Sequence, residues 1–237
     1  MMGFAALYPS YNHIHIRNPE VSVMAIDERQ RQKRLQEKKK KRKLVAKGTA
    51  INLATGRKAL QYCKFPIYEC LVPEGLFETG VGTILWVRRM PDGMLAITAF
   101  MVDSFCLGVK DALFNVASER TYENMIKPGL TGSHGEQAFR NVDPAYARKL
   151  IQGVVAYAER LGFPPHRDYE NAKGIFGGVD VLACPDEFTY GREGKPCYLR
   201  GPSESLAQVE RILAQLQTQC GEGGFDYVIA DDEGPVG

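Results

Sequence analysis

A chain of 237 residues, 44% of them hydrophobic, can bury a sizeable core and suits one domain of about 170 residues with irregular ends. No stretch approaches the roughly 20 apolar residues that cross a bilayer, and MMGFAALYPS lacks the basic flank and cleavage pattern of a signal peptide, so a soluble, cytoplasmic protein is expected. The formal net charge of +2 conceals two unlike parts: 12 Lys and Arg against 4 Asp and Glu up to Lys47, then 18 against 24.

Residues 1–23 are apolar and aromatic, with His13 and His15 and no usable periodicity. Met24 opens a polar, helix-favouring segment, MAIDERQRQKRLQEKKKKRK, that reads as a natural beginning; intact mass of the natively expressed protein would distinguish a start at Met24 from one at Met1. From Arg29 to Lys47 the chain carries eleven basic residues, six of them consecutive: Lys38, Lys39, Lys40, Lys41, Arg42 and Lys43. Too few apolar residues accompany them to hold a helix on a core, so residues 1–47 read as an extension bearing a solvated basic arm. Such an arm suits phosphate contact through counterion release, and the absence of interleaved aromatics argues against sequence recognition.

The expected domain spans 48–220. LQYCKFPIYECLV suggests a short strand or an extended packing arm broken at Pro66 and Pro73. Two apolar runs, about 82–90 and 94–102, flank Pro91-Asp92-Gly93, strong local chemistry for a β-hairpin. The second run is apolar on both alternating faces, Leu95, Ile97, Ala99 and Met101 against Ala96, Phe100 and Val102, as expected of a strand covered on both sides. It leads into a dense cluster of polar groups that includes Asp103, Cys106 and Asp111.

DALFNVASERTYENMI, about 111–124, is expected to be an amphipathic helix with Ala112, Leu113, Val116 and Ala117 inward. A loop with His134 follows. Asp143-Pro144 carries N-cap and first-turn signals for a helix over 143–161, with Ala147, Leu150, Ile151, Val154, Ala158 and Leu161 on one face and Gly162 as its stop. PPHRDYENAKGIF supplies His166 and Asp168. DEFTYG and PCYLRG, about 186–200, read as a second hairpin, and a last helix is expected over 203–219. Residues 221–237 form a glycine-rich acidic tail, expected to be mobile. The sum is an α+β fold: a mostly antiparallel sheet from two hairpins with helices packed on it.

The six cysteines, Cys63, Cys70, Cys106, Cys184, Cys197 and Cys220, show no CxxC pair and read as reduced thiols packed as small hydrophobes. Dinucleotide-binding, P-loop, hydrolase-elbow and zincin patterns are absent. Three functions remain in view. A binding module is tethered by its basic arm to nucleic acid, RNA foremost, or to a ribonucleoprotein. Alternatively Asp103, Asp111, His166 and Asp168 hold Mg²⁺ or Mn²⁺ and activate water against a phosphodiester, no other cofactor being indicated. A protein-interaction adaptor using an open sheet edge is the third. A Cys106–His166 nucleophile–base pair is a further catalytic idea, set against a buried thiol among Phe105, Leu107 and Val109.

VDSFCLGVKDALF, RKLIQGVVAYAERLGFPPHRDYENAKGIF and FTYGREGKPCYLRGP resemble segments of a bacterial α+β domain family of hypothetical proteins without assigned activity. The likeness covers roughly Pro66 to Leu216. It implies a single module with dispensable ends and brings no mechanism.

Overall fold

Strand β1 (Ile67–Pro73) starts after Pro66 and takes in Pro73, and with β2 (Val81–Arg89), β3 (Met94–Asp103) and β4 (Gly108–Ser118) it forms an antiparallel meander. The computed structural model describes residues 57–131, 138–201 and 204–229, with α1 (Arg57–Gln61) ahead of β1 and α2 (Leu76–Thr79) between β1 and β2. The β2–β3 turn forms as expected: Gly93 takes φ +79°, its N–H donates to the Met90 carbonyl at 3.0 Å, and Asp92 Oδ1 accepts from Met94 N–H at 3.0 Å. A short β5 (Phe139–Asn141) adds beside β1, giving the order β4-β3-β2-β1-β5 with every pair antiparallel. The α+β class and mostly antiparallel sheet therefore hold.

Both faces are covered. Against one lie α5 (Pro144–Arg160) and the segment after it, where Ala147, Leu150, Ile151 and Val154 meet Trp86, Ala96, Phe100 and Ala112. The start of α5 follows its sequence signals: Asp143 Oδ1 accepts from Ala145 N–H at 2.7 Å, with Pro144 in the first turn. The opposite face carries Leu85, Val87, Leu95, Ile97 and Ala99 and is covered by Tyr122, Ile126 and Leu130, which follow β4 in α3 (Glu119–Thr121), a π-helical stretch (Tyr122–Ile126) and α4 (Lys127–Thr131).

Two expectations fail. Residues 111–118 are strand, not helix; only from Ser118, whose Oγ accepts from Thr121 N–H at 3.2 Å, does helix begin. The spacing of Ala112, Leu113, Val116 and Ala117 satisfies a helix stripe, but here Ala112, Phe114 and Val116 face α5 while Leu113 and Ala117 face the other layer. A strand with apolar residues packed on both faces carries no single-face alternation to betray it.

The second hairpin is reduced to one bridge, Arg192 with Lys195. Its arms are bound elsewhere: Gly191 N–H donates to the Ser104 carbonyl at 2.9 Å and Cys197 N–H to that of Phe105 at 3.1 Å. Strand β6 (Cys197–Leu199) instead pairs in parallel with β7 (Asp226–Val228), the two joined through α7 (Leu206–Cys220). A parallel pair requires such a crossover. The tail expected to be mobile from Gly221 is thus structured as far as Ile229, with Phe225, Tyr227 and Ile229 packed around Cys106, Tyr198 and Leu216. Among the described residues no helix is long and apolar enough to cross a membrane.

Candidate metal centre at the sheet edge

The register of β3 and β4 slips between Met101, opposite Asp111, and Val102, opposite Val109, leaving Lys110 as a bulged extra residue. Bulges re-aim side chains, and this one separates two environments. Lys110 reaches into a half-buried network: its Nζ lies 2.7 Å from Glu204 Oε1, while Glu204 Oε2 accepts from Tyr198 OH at 2.6 Å and Gly201 N–H at 2.9 Å. Burial works against the Glu204 carboxylate, yet the bonds from Lys110, Tyr198 and Gly201 outweigh it and hold its pKa below the usual range.

Asp111, next along, sits at the exposed edge. Its Oδ1 accepts from Ala112 N–H at 2.8 Å, which fixes the carboxylate, and lies 3.6 Å from His166 Nδ1. His166 is brought there by the loop after α5, whose path is pinned by His166 N–H donating to the Val109 carbonyl at 2.8 Å. Asp168 precedes the short α6 (Tyr169–Ala172); its Oδ2 lies 3.5 Å from the same Nδ1 and its N–H donates to that nitrogen at 3.4 Å. One ligand atom from each of the three residues falls within 4.8 Å of the others. Their side chains are 42%, 35% and 37% exposed in chain order, accessible to solvent and to an ion.

Three of the four expected site residues therefore converge, and Asp103 does not join them. Its side chain is buried inside the β3–β4 turn, where Oδ1 accepts from Phe105 N–H at 3.0 Å and Cys106 N–H at 2.9 Å, and Oδ2 has no hydrogen-bond partner. Burial raises its pKa to about 6 against the pull of Lys110 and the turn N–H groups. Asp103 builds the turn. Cys106 is fully buried, and burial followed by the nearby Asp103 charge pushes its thiol pKa up, so the Cys106–His166 pair lacks an activated nucleophile. Lys38 to Lys43, His13, His15, Met24 and His134 lie outside the described residues.

Sequence reasoning missed Glu204 altogether. Glu204 is 94 residues from Lys110, a separation no spacing rule bridges. The edge strand also carries two local caps: Asn115 Oδ1 accepts from Val116 N–H at 2.8 Å as Asp111 Oδ1 does from Ala112, so part of the edge is already occupied. Two surface grooves, one around Phe77 and Phe188 and one around Arg148, Tyr169 and Phe176, do not include the Asp111 cluster.

No protein-family model, curated protein or solved structure matches this chain. The functional reading therefore rests on the residues themselves.

Proposed function

We propose that this protein associates with nucleic acid, RNA or a ribonucleoprotein foremost, through the basic arm Lys38–Lys43, the folded body being what the arm tethers. The supporting observation is the partition of charge: a net +8 up to Lys47 against −6 beyond it. A net-negative body is repelled by phosphate at long range, so attraction has to come from the arm. Because the term is electrostatic, it weakens steeply with salt and discriminates little between sequences.

Replacing the six consecutive cations by Gln tests this. Retention of a mixed single-stranded RNA pool is measured against salt concentration. If each cation neutralises one phosphate, the log–log slope falls in magnitude by about 4 on substitution. A full-length protein that ignores RNA at low salt, or a variant with an unchanged slope, removes the proposal.

A second reading, metal-assisted phosphodiester hydrolysis, is favoured by the convergence of Asp111, His166 and Asp168. A divalent ion there supplies a more acidic water and offsets charge on a phosphoryl oxygen. The chain's own part is to hold it: Ala112 N–H orients the Asp111 carboxylate and the Val109 carbonyl anchors the backbone of His166.

A further inference from the structure

The spacing within the cluster distinguishes between ions. Ligands about 2.1 Å from a tetrahedral Zn²⁺ stand about 3.4 Å apart, whereas cis ligands of octahedral Mg²⁺ stand about 2.9 Å apart. His166 Nδ1 is 3.6 Å from Asp111 Oδ1 and 3.5 Å from Asp168 Oδ2, two edges near the tetrahedral length, and the ligand atoms of the two carboxylates lie within 4.8 Å of each other. An imidazole nitrogen in the set also favours a first-row transition metal over Mg²⁺, which prefers oxygen and retains its water. The Asp111 carboxylate already has an orienting donor in Ala112 N–H, the kind of outer support that metal-ligating carboxylates carry.

We propose that Asp111, His166 and Asp168 form a tetrahedral site for Zn²⁺ or a similar transition-metal ion, with the fourth position open to water. Three protein ligands and an exposed fourth position constitute a catalytic rather than a closed structural zinc arrangement. The ion takes the Nδ1 lone pair in place of the long 3.4 Å contact from Asp168 N–H. This inference rests on the cluster behind the hydrolytic reading and replaces the Mg²⁺ or Mn²⁺ expected from the sequence.

Calorimetric titration of the full chain with Zn²⁺, Mn²⁺ and Mg²⁺, alongside Asp168→Asn and His166→Gln, provides the test. Circular dichroism of each variant in chelator verifies folding. Expected are one Zn²⁺ per chain, tighter than Mg²⁺, and an affinity at least about tenfold weaker in each variant. Co²⁺ should give the intense visible absorption of a tetrahedral centre, lost in both variants. Absence of stoichiometric Zn²⁺ binding, unchanged affinity in the folded variants, which would place the ion on cysteine or elsewhere, or a preference for Mg²⁺ each overturns the site. Cleavage of the RNA pool is scored separately. Zn²⁺ binding without cleavage upholds the site and removes the hydrolytic reading; Mg²⁺-dependent cleavage without Zn²⁺ binding does the reverse.

Discussion

Asp103 and Glu204 flank Lys110 and respond to acid in opposite senses. The folded pKa of Asp103 is raised from 3.8 to about 6, so between those values the unfolded chain ionises this group while the folded chain still holds its proton. Its contribution to stability thus falls as pH rises from about 4 to about 6, by on the order of 3 kcal/mol for a group this buried. Glu204, held low, contributes stability above its unfolded pKa that is lost on acidification. In Asp103→Asn the side-chain carbonyl can still accept from Phe105 and Cys106 N–H while the charge disappears. Urea denaturation at pH 4.5, 5.5 and 7 should show the variant gaining stability relative to the parent as pH rises; parallel pH profiles would refute the assignment.

At the scale of elements, β4 depends on Gly108. It takes φ +69°, and a Cβ there would stand 2.6 Å from Ala158 Cβ and 3.1 Å from the Val154 carbonyl oxygen on α5. Gly108→Ala combines a left-handed backbone penalty with overpacking, roughly 2–4 kcal/mol, and should lower the urea midpoint accordingly. A change within about 0.5 kcal/mol would mean that the strand and α5 adapt freely. The same region shows what the sequence could convey. The β2–β3 hairpin and α5 were legible because their signals are local: Pro91-Asp92-Gly93 in one case, Asp143-Pro144 with an apolar face in the other. Strand β4 was not, since its two faces meet different layers and its apolar letters fit helix and strand alike. Likewise the tight turn at Arg192–Lys195 was legible, but its arms are claimed by Ser104 and Phe105 from a distant part of the chain. Asp111, His166 and Asp168 were recognisable by residue type. Asp103 was added for its sequence proximity, but as the last residue of β3 it turns its carboxylate into the β3–β4 turn.

Across the whole molecule, the chain divides into a sequential sheet and a later-added cover. Strands β1 to β4 pair with their immediate neighbours in sequence, whereas β6, α7 and β7 form a small crossover unit whose last strand lies in the segment expected to be a free tail. Ending the chain at Cys220 removes β7 and the half-buried Phe225, Tyr227 and Ile229, roughly 3 kcal/mol of apolar burial. The truncated protein should unfold at lower urea and expose Cys197 and Cys106 to a thiol reagent under native conditions; unchanged thiol protection would show the tail to be dispensable. One supernumerary residue in β4 has the widest reach of all. By breaking the strand's two-step rhythm at Lys110, it sends an ammonium toward the protein's interior and turns its neighbour's carboxylate to the rim. Excising that residue would knit the ladder into an unbroken register, Val109 against Val102 and Asp111 against Met101, and would take from Glu204 the cation that neutralises it.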